Sequence, residues 1–479
     1  YRIDMTEGNI YSISDASKNI VSQLDDKVIV KCFFSQKLPP ELQMIPQLVK
    51  NNLDEYRTYS NGNLAYEFLD PSSDEFAEQI MQYQLPSAQV QLLEKDEFKL
   101  KRVFMGMVLL HEDKKEIIPF IQQGDLPSLE YEITSKIKKL TTDKLPRIGI
   151  LTEFGTVPVE DMRTVYQMLS SQYSVVPVDA DSSSLSTKTI DALLIIGPEK
   201  RFSEKALENV DSYIMDGGKT GFFIDKTSVD LKRMGVKKIE TGLDSLMMNY
   251  GVRVNNDLVG DKQAGTISVR QQKGFFTISN RIKYPFLPKV TNLSKNNIIT
   301  QNIDAAYFYF ASSLDTNFTD KKNVDLEIIA RTSENAFTQS DNFYIMADKD
   351  IEDYKYDKSS LPIIAILQGS FTSFVNQLQR SFETRMVVSG DSEFFLDNKF
   401  GSENDINLFL NLVDWLTADD SLISIRSKNI QLRPLNKVSE KGRLLVKILN
   451  VASIPLIILI TGIVKWIKRR FRKDFSLKV

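Results

Sequence analysis

The sequence predicts an α/β protein made of two folded parts in series, the second built on a parallel sheet, with a transmembrane helix near its end. Three observations carry this. Runs rich in β-branched and aromatic residues alternate with helical periodicity between residues 27 and 225. Several of those runs are apolar at nearly every position, as strands covered on both faces must be, DALLIIG at 191–197 being fully apolar after its first residue. Residues 448–464 then form a seventeen-residue apolar run followed at once by a basic cluster.

In residues 1–145, the segment 27–34 (KVIVKCFF) is a strand, 40–56 a helix, and 64–69 (LAYEFL) a second strand closed by Asp70-Pro71. Strand, helix, strand at this spacing is a βαβ unit with parallel pairing. Residues 90–93 follow, then a hairpin of 101–110 and 116–120 with 111–115 as its turn. A helix over 131–140 leads into a linker at 141–146. The order β-α-β then β-β-α is that of a thioredoxin-like domain. Redox chemistry is nevertheless excluded, because the motif needs two cysteines at a helix start and Cys32 stands alone in mid-strand.

The second part spans 146–435. Strands are expected at 147–152 (RIGILT), 173–178, 191–197 (DALLIIG) and 219–225, with helices at 159–172 and 203–216. Continuous apolar strands alternating with helices give a doubly wound, flavodoxin-like parallel sheet. Ser203 is a suitable N-cap, with Glu204 and Glu208 favourable in the first turns, and Gly217-Gly218 signals a C-cap and turn. The alternation fades between about 237 and 380, where Asn, Ser, Thr and Tyr increase. It resumes with a strand at 385–389 (RMVVS) and a helix at 404–416, so the domain reads as one sheet interrupted by a long insertion.

The C-terminal region predicts a membrane anchor. Seventeen helical residues reach about 26 Å, and flanks extending the helix to 444–467 complete a ~30 Å hydrocarbon core. Pro455 lies within the span and Trp466 sits at its interfacial end. The last fifteen residues carry seven cations, Lys468, Arg469, Arg470, Arg472 and Lys473 among them, against Asp474 alone, a charge of +6; the rest of the chain then holds -9 of the net -3. By the positive-inside rule the tail 468–479 is cytoplasmic and residues 1–441 are extracytoplasmic, which makes the protein an expected component of the cytoplasmic membrane with its bulk outside the cytoplasm. With Tyr1 rather than Met at its start, the sequence is expected to be preceded by a signal peptide or a first transmembrane helix.

Composition removes whole classes of chemistry. One Cys allows no internal disulfide framework and no Cys-based structural zinc site, and one His, His111, allows no multi-histidine metal centre. Sixty Lys plus Arg against 63 Asp plus Glu give no basic surface for nucleic acid. Residues 216–220 (DGGKT) end like a Walker A motif, but Tyr213 stands where its first glycine belongs and a strand follows. Ser228 and Ser389 lie in no G-x-S-x-G elbow and have no imidazole in their own domain, so the reading is non-catalytic and without cofactor. Asp225, Asp391 and Glu393 fall at carboxyl ends of predicted strands, the place where open α/β sheets bind ligands, and form a candidate crevice; paired carboxylates there could hold a metal, but helix capping and turn formation are the commoner roles.

Residues 4–14 (DMTEGNIYSIS), 30–35 (VKCFFS) with 38–40 (LPP), and 68–71 (FLDP) resemble the opening domain of GldG-like gliding-motility proteins and related auxiliary components of ABC transporters. The likeness continues through 129–137 (LEYEITSKI), 147–152, 284–285 (YP), 312–315 (SSLD), 331–333 (RTS), 411–416 (NLVDWL), 425–426 (IR) and 433–435 (RPL). It implies a membrane-anchored extracytoplasmic subunit working with an ABC permease and its cytoplasmic ATPase (GldF- and GldA-like) in gliding or secretion. A non-catalytic scaffold would couple the permease to a periplasmic protein or glycan. The alternative is a periplasmic sensor or substrate-binding subunit using the sheet crevice. The second domain also looks like the class I glutamine amidotransferase fold, a likeness of scaffold that implies no activity.

Overall fold

The computed structural model describes residues 12–71, 74–94, 97–181, 185–273, 276–318, 320, 322–399, 401–417, 423, 425–426 and 462–466. The chain forms two compact units, Tyr1–Asn429 and Ile430–Val479. In the second unit only 462–466 are described; they are helical, with Trp466 60% exposed. The rest of the expected span, with Pro455, lies outside the described residues, as do Lys468, Arg469, Arg470, Arg472 and Lys473. Among the described residues no helix is long and apolar enough to cross a membrane.

The first unit opens with α1 (Asp15–Ser22), β1 (Val28–Phe34), α2 (Ile45–Tyr59), β2 (Leu64–Leu69), α3 (Asp74–Tyr83), β3 (Ala88–Glu94), β4 (Glu97–Val103), β5 (Met105–His111), β6 (Lys114–Ile118) and α4 (Leu129–Thr141). Four strands make one sheet in the order β2-β1-β5-β6, with β1 and β2 parallel and the other pairs antiparallel. Alternation along β1 decides what covers each face. Val28, Val30 and Cys32 meet Val49, Leu53 and Tyr56 of α2 and Ile133, Ile137 and Leu140 of α4, whereas Phe33 meets Ile80 of α3 on the far side.

Two expectations for this region change. The single strand predicted over 101–110 is two strands, broken at Phe104: its N–H donates to Ser35 Oγ (3.0 Å) and its carbonyl accepts from Ser35 N–H (3.0 Å). β4 therefore pairs with β3, while β5 joins β1. His111 ends β5 instead of lying in the turn, which falls at Glu112 with φ +50°. Cys32 is fully buried, and burial pushes its thiol far above the ordinary value, which leaves it unreactive.

The chain continues with β7 (Arg147–Leu151), α5 (Arg163–Ser170), β8 (Ser174–Val178), β9 (Ala192–Ile196), α6 (Glu204–Met215), β10 (Lys219–Phe223), a hairpin of β11 (Thr227–Asp230) and β12 (Gly235–Lys238), and α7 (Leu243–Tyr250). Next come β13 (Arg253–Val254), β14 (Leu258–Asp261), β15 (Ala264–Lys273), β16 (Phe276–Val290), β17 (Asn292–Leu293), β18 (Ala306–Tyr307), β19 (Leu314–Asp315), β20 (Val324–Arg331), β21 (Ala336–Gln339), β22 (Pro362–Gly369), β23 (Thr384–Ser389) and α8 (Glu403–Thr417). An eight-stranded sheet runs β17-β20-β22-β23-β10-β9-β7-β8. Its five strands from β8 to β23 are parallel, and taken in chain order they lie 2-1-3-4-5. β22, β20 and β17 extend the sheet antiparallel, so residues 292–369, inside the stretch read as an insertion, supply three of its strands.

Helices cover this sheet on both faces. α5 and α8 pack with Ile148, Ile150 and Phe223, while α6 and α7 pack with Leu193, Ile195 and Phe222. Ser203 caps α6 as expected, its Oγ accepting from Ala206 N–H at 3.0 Å. Gly217 ends that helix at φ +86°, and Gly218 N–H returns to the Tyr213 carbonyl at 2.9 Å.

A buried polar clasp joins α4 to the large sheet's helices. Arg426, 3% exposed, pairs with Asp414 of α8 (2.8 Å), donates to Asn411 Oδ1 (2.7 Å) and to the Tyr131 hydroxyl, and stacks over the Tyr131 ring at 4.7 Å. Tyr173 OH donates to the other Asp414 oxygen at 2.6 Å, and Gln172 Nε2 donates to Tyr131 OH. Burial disfavours the guanidinium charge, but Asp414 and Tyr131 outweigh it, so Arg426 is held more firmly protonated than usual.

Candidate functional site

The crevice lies at the carboxyl edge of the parallel strands, where β7 and β9 diverge to opposite neighbours; ligands of doubly wound sheets sit at such a switch point. It is a cavity of about 310 Å³ whose lining includes Thr156, Glu199, Asp225, Thr227, Tyr309 and Glu393. Two glycines directly follow strands at this edge. Gly197, directly after β9, takes φ +55°, and a Cβ there would lie 2.6 Å from Ser392 Oγ. Gly390, directly after β23, lies so close to the 312 backbone that a Cβ would stand 2.0 Å from the Ser312 carbonyl oxygen; the Ser312 N–H in turn donates to the Gly390 carbonyl at 2.8 Å.

The three carboxyls expected from strand-end positions come together. Asp391 is fully buried and accepts from the backbone N–H of Tyr309 (2.5 Å) and of Glu393 (2.6 Å). Asp225, partly buried, accepts from Ser392 N–H (2.9 Å) and from Ser392 Oγ. Glu393 pairs with Lys399 at 3.1 Å, and that ammonium also lies 5.6 Å over the Tyr309 ring. Burial and the nearby Glu393 charge push the Asp225 carboxyl up to about 7. Burial, then Asp225 and Glu393, raise Asp391 well above the carboxylate range.

Further lining residues carry weaker signals in the sequence. Glu199 obeys the same strand-end rule, three residues beyond β9, and could have been found by it. Tyr309 comes from the long excursion between β10 and β23, and nothing in its neighbourhood announces its position. Thr227 is 5% exposed, and its Oγ1 has no hydrogen-bond partner among the described residues. Ser228 Oγ stands 3.5 Å from Glu199 Oε1, Ser389 Oγ donates to the Asp391 carbonyl (2.8 Å), and His111 belongs to the other sheet, its Nδ1 3.2 Å from the Lys27 carbonyl.

Carboxyls, hydroxyls and an aromatic edge make this a place that holds a proton near neutrality and offers acceptors to a cationic or hydroxyl-bearing group. Among the described residues no cluster of three or more His, Cys, Asp or Glu is arranged to hold a metal ion.

Comparison with known proteins places the chain. It is 22% identical over 488 aligned positions to an uncharacterized protein of Borreliella burgdorferi, covering 98% of this chain and 94% of that one. Among solved structures, the mmIFT52 N-terminal domain covers 57% of this chain and 97% of its own length at 16% identity and a TM-score of 0.37. A ThuA-like protein from Parabacteroides merdae covers 63% of this chain and 96% of its own length at 10% identity and a TM-score of 0.29. Likeness at that level carries no argument about function. A family model described as a domain of unknown function matches residues 7–110. The model described as an ABC-type uncharacterized transport system matches residues 145–417, and the chain therefore belongs to that family of auxiliary components of ABC transport systems.

Proposed function

We propose that the chain is a non-catalytic, membrane-anchored subunit that couples an ABC permease to extracytoplasmic partners, in the manner of GldG-like proteins of gliding and secretion machinery. In this reading residues 444–467 span the cytoplasmic membrane, the tail 468–479 is cytoplasmic and the bulk is periplasmic. The partners are a permease and its ATPase of GldF and GldA type. The observation that carries it is the match of residues 145–417 to the transport family in a chain whose crevice lining contains neither thiol nor imidazole. The first sheet, with its parallel pair and antiparallel hairpin in the order β2-β1-β5-β6, is read as thioredoxin-like, and the large sheet as a scaffold of glutamine amidotransferase type. Affinity purification of the full chain from membranes tests the proposal: a polytopic permease is expected in stoichiometric yield, and recovery of the chain alone would sink it.

A second reading, a sensor or substrate-binding subunit, is favoured by the cavity at the switch point with the orphaned Thr227 hydroxyl in its wall. Thermal shifts with panels of glycans, peptides and lipids, lost in Asp225→Asn, would support it. A flat response across all panels counts against it.

A further inference from the structure

The edge of the large sheet opposite the crevice carries an unusual loop. β22 and β23 are antiparallel neighbours, so their connection, residues 370–383, lies at the amino end of β23. Three large apolar side chains project from it: Val375 is 57% exposed, Leu378 96% and Phe382 73%. The loop that presents them is firmly built. Asp211, 2% exposed, accepts from Ser373 Oγ (2.6 Å), Phe374 N–H (2.7 Å) and Val375 N–H (3.3 Å). Ser370 Oγ donates to the Ser381 carbonyl (2.7 Å), Phe371 N–H to Ser381 Oγ (2.8 Å), and Arg380 pairs with Asp320 (3.0 Å).

The same edge is where α8 ends. Arg385, one residue into β23, donates to the Trp415 carbonyl at 2.7 Å and lies 5.0 Å from the Trp415 ring centroid, two residues before α8 stops. From there the chain proceeds to the apolar run 448–464 and the basic tail.

We infer that this loop is a membrane-docking element, with Val375, Leu378 and Phe382 entering the interfacial region of the bilayer in which the chain is anchored. The inference rests on the anchored reading given above. Three exposed side chains on one loop offer far less than the ~800 Å² per partner of a stable protein interface. A bilayer held close by a covalent tether needs no such area, because tethering raises the effective concentration. The chemistry fits lipid as well: the apolar side chains are interspersed with the amides Asn376, Gln377 and Gln379, while the charges nearby are already engaged, Arg380 with Asp320 and Glu383 with Gln368.

The test uses the full chain reconstituted in phosphatidylethanolamine/phosphatidylglycerol vesicles, with an environment-sensitive fluorophore on Leu378→Cys. Cys32, being fully buried, does not compete for label. Leu231→Cys, 54% exposed between β11 and β12 beyond the carboxyl end of β10, is the control. A headgroup-proximal nitroxide lipid is expected to remove about half the emission at position 378 and to leave position 231 unchanged. Unquenched label at 378 in protein that floats with the vesicles overturns the inference. So does protection that develops only when a co-purified permease is added, which would assign the loop to a protein partner. Protein that does not float at all overturns the anchor itself, and the docking loop with it.

Discussion

The two edges of the eight-stranded sheet handle buried charge in opposite ways. At the carboxyl edge Asp225, Asp391 and Glu393 lie near enough for Glu393 to raise both aspartates, and Lys399 pairs with Glu393. At the amino edge Asp414 meets Arg426 directly, with Tyr173 on its second oxygen. The first arrangement leaves carboxyls poised to take up a proton; the second neutralises its carboxylate within the fold. A buried carboxylate paired with a cation acts as a joint, whereas neighbouring carboxyls held only by N–H and hydroxyl donors are raised toward neutrality.

Breaking the joint has the largest expected effect. Arg426→Met removes the guanidinium that faces the buried Asp414, and a loss of about 3–5 kcal/mol in urea unfolding is expected. A loss under about 1 kcal/mol would show that the clasp is solvated and the contrast between the edges false. At the other edge Gly197→Ala must force a side chain into a left-handed backbone against Ser392, at a cost of about 2 kcal/mol by the same measurement. Asp225→Asn probes the crevice charge. Because the folded carboxyl sits near 7 and the unfolded one near 3.8, its protonation stabilises the folded state fully below about 4, and that contribution is lost as pH rises through 7. The variant should therefore have a flatter stability profile between pH 4 and 7 and gain about 1 kcal/mol at pH 8, the partial exposure of Asp225 tempering the effect. Identical pH slopes for variant and parent would remove the distinction between the edges. Leu378→Ser is expected to change stability by no more than about 0.5 kcal/mol, since its side chain touches little else. A larger loss would mean that the loop is held by its apolar tip and not by Asp211.

Much of this was legible where local pattern and burial coincide. The apolar strands 147–151, 192–196 and 219–223 stand in the parallel sheet as their composition demands, and the Ser203 cap and Gly217 turn occur where residue chemistry put them. β22 (PIIAILQG) is as apolar as they are, yet it escaped because the polar stretch around it suggested excursion rather than sheet. The break at Phe104 has no turn residue to announce it; a distant serine makes it. At the carboxyl edge, positions following a strand could be read from sequence, and Asp225, Asp391 and Glu393 were; Asp225 and Glu393 line the cavity, and Asp391 is buried behind it. Tyr309, brought in from some eighty residues before β23 reaches its end, depends on a long-range packing that no spacing encodes.

The clasp also orders events in time. Tyr131 waits 295 residues for Arg426, roughly 15 to 60 s at 5–20 residues per second of synthesis. Until that arginine emerges, the link from Tyr131 to Asp414 is missing and the polar fastener between α4 and α8 is incomplete. The next long feature to leave the ribosome is the apolar run at 448–464. The folded body thus locks shut just before its apolar C-terminal segment is delivered, and a chain cut short ahead of residue 426 carries its own mark of incompleteness, a Tyr131 and an Asp414 that lack the guanidinium joining them.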